Sequence, residues 1–126
     1  MKIQSTIVLL IILSALSMPI SAEAHHSISA EFDSTKPITL SGIVTNVDWM
    51  NPHTYVFVDV KDTDAGTTRT WACELASPTE LARRGFTRGS LRVGMTIRVV
   101  GTRAKDGSFR IHTDTLTADN SVLFSK

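Results

Sequence analysis

Two adjacent histidines, His25 and His26, are the residues whose types and position suggest the most distinctive chemistry in this chain. They directly follow Ala22-Glu23-Ala24, a small-x-small pattern that is typical of a signal-peptide cleavage site. Cleavage after Ala24 would make His25 the amino terminus, where the α-amine and the ring Nδ1 can chelate one metal ion together. The α-amine has an unperturbed pKa of about 7.7–8.0, so it loses its proton at modest cost near neutral pH.

Cleavage after Ala22 would give the terminus a different chelate. The mature chain would then begin Glu23-Ala24-His25, with histidine in the third position. There the amine, two deprotonated amides and the imidazole can surround a square-planar Cu(II) or Ni(II) ion. Both cleavage sites therefore predict copper binding, through different geometries. The competing interpretation is a solvated terminal histidine pair that binds nothing.

His53 is the third candidate metal ligand. It lies in W-M-N-P-H, where Asn51-Pro52 predicts a turn between two strands, and the neighbouring Met50 adds a thioether that favours Cu(I). A strand-end histidine more commonly bonds a backbone carbonyl, so His53 becomes a ligand only if the amino terminus folds back to it. The predicted metal site is His25, His26 and His53, with copper as the cofactor.

The amino-terminal segment predicts export. Lys2 supplies a positive charge, and Ile7–Leu16 forms an apolar core of about ten residues, the usual length of a signal-peptide core. A membrane-spanning helix needs roughly 20 apolar residues. We interpret residues 1–24 as a signal peptide, 25–36 as an N-terminal segment and 37–126 as one domain. The mature protein is expected in the periplasm or secreted, with no membrane anchor after cleavage.

Charge and motifs narrow the possible functions. Lys2 and Glu23 leave together on cleavage, so the formal net charge stays +1, which disfavours a nucleic-acid-binding surface. The sequence lacks G-x-S-x-G, Walker and H-E-x-x-H motifs, so no catalytic residue is assigned and an enzyme is not favoured. The chain has one cysteine, Cys73, which excludes an intramolecular disulfide. Its place in the alternating run Trp71, Cys73, Leu75 predicts a buried thiol.

The pattern of elements predicts an all-β fold with one short helix. Ser77-Pro78-Thr79-Glu80 combines an N-cap serine, proline at the first helical position and a capping-box glutamate, and Gly85 marks the helix end. Gly42 predicts a bulge in the first strand, and Asp106-Gly107 predicts a hairpin turn. The predicted strands are residues 38–49, 53–60, 69–75, 96–103 and 109–116, with a short edge strand at 122–124.

Three strands, a helix and two further strands form the element order of an OB fold. The sequence therefore predicts an OB-fold-like five-stranded barrel. An open sandwich is the competing architecture, and it would not require a helix between the third and fourth strands.

Several motifs together resemble a family of small exported bacterial proteins of unknown function. The resemblance brings no activity, and it places His25, His26 and His53 at matching positions. Phe86 stands where the family pattern often has Trp. The motifs are H-H-S at 25–27, A-E-F-D at 30–33, G-x-V at 42–44, W-M-N-P-H at 49–53, W-A-C-E-L-A-S-P at 71–78, R-R-G-F-T at 83–87 and A-K-D-G-S at 104–108.

The favoured function is thus an exported binding protein with a copper site at its mature N-terminal histidine. The alternative is a metal-free module that binds a small ligand or a protein through the barrel face around His53, Tyr55 and Phe57. A histidine-brace copper oxidase ranks third, because the sequence identifies neither a substrate surface nor axial ligands for it.

Overall fold

The computed structural model describes residues 27–126, so the predicted signal peptide, His25 and His26 lie outside the described residues. Two short helices and six strands make up this part of the chain. The helices are α1 (Ile28–Glu31) and α2 (Pro78–Arg83), and the strands are β1 (Phe32–Asp48), β2 (Tyr55–Asp62), β3 (Thr67–Glu74), β4 (Thr96–Ala104), β5 (Arg110–Ala118) and β6 (Ser121–Ser125).

Five of the strands pair into a closed ring. The hydrogen-bonded order is β3-β2-β1-β4-β5-β6, and a further pairing joins β3 to β5. This last pairing is parallel and runs from Ala72 opposite Arg110 to Glu74 opposite His112, while the other neighbours are antiparallel. β6 adds to β5 outside the ring. The predicted all-β fold with an OB-like ring of five strands is confirmed, and α2 lies between β3 and β4 as expected.

The core fills the inside of this ring because apolar residues alternate along the strands. Burying one Val, Leu or Ile side chain in this core stabilises the folded state by roughly 1.5–3 kcal/mol relative to leaving it exposed. The alternation predicts that Ile97 and Val99 point inward and that Val56 and Val58 share one face. All four are buried, as are Cys73 and Leu75.

Helix α2 begins and ends as its sequence predicts. The Ser77 hydroxyl accepts a hydrogen bond from the backbone N–H of Glu80 at 3.3 Å, and Pro78 occupies the first turn. Gly85 has φ 81°, a left-handed conformation that suits glycine at a helix end. The helix presents Leu81 to the core, where its side chain is fully buried.

Phe86 continues that packing beyond the helix. It is fully buried, and its ring centroid lies 5.7 Å from that of Trp49, next to the turn that carries His53. Position 86 is therefore a packing position.

The bulge in β1 differs from its predicted place. The register with β2 shifts between Val44 and Asn46, whereas the register with β4 runs unbroken through Gly42. Leu40 and Val44 therefore share the inner face, and Ile43 is 51% exposed. The alternation pattern predicted a change of face at Gly42 that grouped Ile43 with Val47 and Trp49. This was wrong, because the change of face occurs after Val44.

Gly42 has a different structural reason. A Cβ at this position would collide with the backbone carbonyl oxygen of Asp59 on β2. Glycine is needed here because the two backbones approach closely where β1 crosses from one ring neighbour to the other.

β1 also begins earlier than predicted, at Phe32. Phe32 is buried and pairs with Ala104, and the pairing with β4 is irregular until Pro37. The first part of the strand therefore ties the N-terminal segment to the ring, close to the start of β5.

We expect Ser77→Ala to lower the free energy of unfolding by ~1 kcal/mol, because the Glu80 N–H loses its cap. Urea unfolding followed by circular dichroism measures this change. Thr79→Ala, on the exposed side of the same helix turn, is the matched control and should change stability much less. Equal losses in the two variants would contradict the capping role.

Candidate functional site

His53 is held by a buried carboxylate. Its ring Nδ1 lies 2.8 Å from Glu74 Oε1. The His53 side chain is 43% exposed, whereas the Glu74 side chain is only 6% exposed. Because Nδ1 is engaged by Glu74, Nε2 is the ring nitrogen left to meet a ligand.

Strand pairing places these two residues side by side. β2 and β3 pair so that Tyr55 lies opposite Glu74. The preceding Thr54 donates its backbone N–H to Ala76 O at 3.0 Å and accepts from Leu75 N at 2.9 Å. The chain entering β2 is thus fixed against the chain leaving β3, and the histidine before β2 lies over the last residue of β3.

Glu74 has two further partners. The Tyr55 hydroxyl donates to Glu74 Oε2 at 3.4 Å, and Arg110 Nη2 lies 3.8 Å from the same oxygen. A buried carboxylate without such partners would carry a large desolvation penalty. Burial, followed by the negative charge of Glu74, raises the pKa of Tyr55, so its hydroxyl stays protonated and able to donate.

Arg110 connects this cluster to the N-terminal segment. Its Nη2 bonds Glu31 Oε2 at 2.6 Å, and its guanidinium lies 5.2 Å from the centre of the Phe32 ring. The hydrogen bond to Glu31 is the main reason that the pKa of Arg110 is raised. Lys105 adds a second attachment, because its Nζ donates to Ser29 O at 2.6 Å and its backbone N–H donates to Glu31 O at 2.9 Å.

Two cavities meet at His53. One, of about 360 Å³, has Glu31, Tyr55 and Glu74 in its wall, and the other, of about 310 Å³, extends toward α2 and β6. Ile28, Pro52 and His53 line both. The start of the described chain therefore lies at the same cleft as the histidine.

The predicted site residues have different outcomes. His53 lies at the cleft, while His25 and His26 lie outside the described residues, so the copper site stays a prediction. Met50 is exposed and lines neither cavity. Within residues 27–126, no group of three or more His, Cys, Asp or Glu side chains is arranged to hold a metal ion.

Sequence reasoning missed three residues of the site, Glu31, Glu74 and Arg110. The β3–β5 pairing, which no local pattern indicates, brings Glu74 near Arg110, and Arg110 in turn binds Glu31. The register of the β2–β3 hairpin places Tyr55 opposite Glu74. The charged neighbours Arg110 and Asp114 predicted a surface position for His112, and this prediction was wrong. Its ring is half-buried, 5.4 Å from the Phe32 ring.

The chain matches the model of a protein family. The model of a family of unknown function, DUF6152, matches residues 13–112. The chain belongs to this family. The matched range includes His25, His26 and His53 as well as Glu31, Glu74, Arg110 and His112. None of the curated proteins matches the chain. Across residues 27–126, no helix is both long and apolar enough to cross a bilayer.

Cys73 is excluded from the chemistry of the site. Its side chain is fully buried in the ring, and burial raises its pKa to about 12. The thiolate is the nucleophilic form of cysteine, and little of it forms at this pKa. The prediction that Cys73 is buried is confirmed.

We expect Cys73 to react with a thiol reagent at pH 8 only after unfolding. At that pH a pKa of about 12 leaves roughly one thiol in ten thousand as thiolate, and no solvent path reaches it. Absorbance after addition of a chromogenic disulfide measures the rate, with and without urea. A Ser121→Cys variant, which adds an exposed thiol, supplies the fast-reacting control, and a native Cys73 that reacts as fast would contradict the assignment.

Proposed function

We propose that this protein is an exported copper-binding protein in which His53 and the N-terminal histidines hold one copper ion. The observation that supports this most directly is the 2.8 Å contact between His53 Nδ1 and the Glu74 carboxylate oxygen Oε1. Histidines that ligate metals almost always donate their second ring N–H to a carboxylate, a carbonyl or water, which fixes the ring and raises the basicity of the ligating nitrogen. His53 has that partner, and its side chain is partly exposed at a cleft.

The position of the N-terminal segment supports the same proposal. Ile28 lines both cavities with His53, and the hydrogen bonds of Arg110 and Lys105 hold residues 29–31 in place. His26 and His25 precede Ile28 by two and three positions in the sequence. In this proposal they reach the cleft from there and supply their donor atoms to the copper ion.

The donor set suits copper. Cleavage after Ala24 gives the α-amine and ring Nδ1 of His25, and His53 Nε2 adds a third nitrogen. Amine and neutral imidazole nitrogens bind Cu(II) more strongly than the other divalent first-row ions, zinc included. When bound, the copper ion would supply a Lewis-acidic, redox-active centre. The residues of this chain orient the ligands, because Tyr55 and Arg110 hold Glu74, which holds His53.

We expect His53→Ala to weaken Cu(II) binding by about tenfold or more and to change the Cu(II) EPR spectrum, because one nitrogen leaves the coordination sphere. Affinity is measured by competition with a chelator, using protein with its native amino terminus. Met50→Leu is the control, since a thioether is a poor Cu(II) ligand and Met50 lies outside both cavities. A His53→Ala variant that matches wild type in both measurements would show that the terminus binds copper alone.

Glu74→Gln tests the carboxylate behind the ligand. We expect copper affinity to fall by about 10–100-fold, the usual effect of removing such a partner. Circular dichroism checks that the variant folds. A glycine placed before His25 tests the amine in the same assay, and unchanged affinity in that protein would overturn amine ligation.

A further inference from the structure

The cavity of about 310 Å³ between His53, α2 and β6 has chemistry that the copper proposal does not use. Its volume falls in the range of small-molecule sites. One side is apolar and the other carries hydrogen-bond donors. The residues that matter below are Leu75, Ala76 and Phe124 on the apolar side, and His112, Thr113 and Lys126 on the polar side.

His112 presents a hydrogen-bond donor that has no acceptor. Its Nε2 lies 3.0 Å from Lys126 Nζ. An ammonium group only donates hydrogen bonds, so Nε2 accepts and Nδ1 carries the ring hydrogen. Burial, and after it the charge of Lys126, lower the pKa of His112, which agrees with a neutral ring. Nδ1 is buried and has no partner among residues 27–126.

Two threonine hydroxyl groups are also unpartnered buried polar groups among residues 27–126. Thr54 Oγ1 and Thr113 Oγ1 are buried without a hydrogen-bond partner in the described part of the chain, and both residues are almost completely inaccessible. Thr113 lines the cavity. Thr54 follows His53 in the chain, and its backbone is hydrogen-bonded to Leu75 and Ala76, which also line the cavity. Buried polar atoms normally have partners, and all three exceptions lie at or beside one cavity.

The hydrogen-bond donors around the cavity favour an anionic ligand. The carboxylates nearest the cations are already paired, Glu80 with Arg84 at 2.8 Å and Asp114 with Lys126 at 3.6 Å. The His112 Nδ1–H, the Lys126 ammonium and the Thr113 hydroxyl are all able to donate to an incoming oxygen. A ligand amine would instead meet donors and positive charge.

We propose that this cavity binds a small organic carboxylate with a short apolar chain. The carboxylate accepts hydrogen bonds from His112 and Thr113 near Lys126, and the chain packs against Leu75, Ala76 and Phe124. This goes beyond copper binding, because none of these groups is a copper ligand, and it gives the metal-free binding alternative a specific ligand class.

The test is a titration of the metal-free protein, stripped with EDTA, followed by ¹H–¹⁵N NMR. Butyrate is the probe, and 1-butanol and butylamine are its matched controls for the carboxylate. We expect butyrate to bind in the millimolar range that a ligand of this size allows, with amide shifts concentrated at 75–76 and 112–113, and we expect the amine to produce none of them. Absence of these shifts with butyrate, or equal shifts with the amine, would overturn the proposal.

Two variants test the donors. His112→Phe keeps an aromatic ring against Phe32 and removes both nitrogens, so butyrate affinity should fall about tenfold or more. Thr113→Val removes the hydroxyl at nearly constant volume, so affinity should fall while the melting temperature rises, because an unpartnered buried hydroxyl is lost. Thr117→Val, on the same strand, is the control.

Unchanged butyrate affinity in both variants would overturn the site even if butyrate binds elsewhere. Since the titration contains no metal, its failure is distinguishable from a failure of copper binding, which is measured separately by EPR. A melting temperature that falls in the Thr113→Val protein would also count against the proposal, because it would show that the hydroxyl already has a structural partner.

Discussion

The short parallel pairing between β3 and β5 is the contact on which the rest of the molecule depends. It closes the ring of strands, and it does so at three pairs of residues, from Ala72 with Arg110 to Glu74 with His112. Without it, Glu74 would end an edge strand and Arg110 would lie on a separate sheet edge. With it, one buried carboxylate meets an arginine from β5 and a histidine from the turn before β2.

That carboxylate then organises its surroundings. Glu74 is buried, and a buried charge is tolerated when hydrogen bonds and an opposite charge compensate the loss of water. His53 just before β2, Tyr55 at the start of β2 and Arg110 at the start of β5 supply this compensation. Arg110 also binds Glu31, so the same interaction that stabilises the buried charge holds the N-terminal segment at the cleft.

Interactions between residues that are close together in the sequence made much of the fold predictable. Alternating Val56 and Val58, the capped start of α2 and the glycine at its end each depend on neighbouring residues alone, and the structure confirms them. The OB-like ring was predicted from the order of elements along the chain, with the helix between the third and fourth strands. The grouping of Ile43 with Val47 and Trp49 was wrong because the bulge lies after Val44 and not at Gly42, and a bulge reverses the face of every side chain after it.

The site was less predictable because it depends on contacts between distant residues. The sequence indicated His53 from its position after a turn. Its partner Glu74 is 21 positions further along the chain, where the neighbouring residues show only a single acidic residue in a strand. His112 looked like a surface residue because its neighbours Arg110 and Asp114 are charged. Only the approach of Phe32 and Lys126, from the two far ends of the described chain, covers it.

The two ends of the described chain converge on one place, since Ile28 and Lys126 both line the cavity beside His53. Protein added at either end would therefore crowd the cleft, so purification tags are not neutral in this molecule. The turn between β2 and β3, residues 63–66, lies at the other end of β2, about 23 Å away at 3.3 Å per residue. An internal tag or a fluorophore placed in that exposed turn would leave the cleft open and would report on it from a distance.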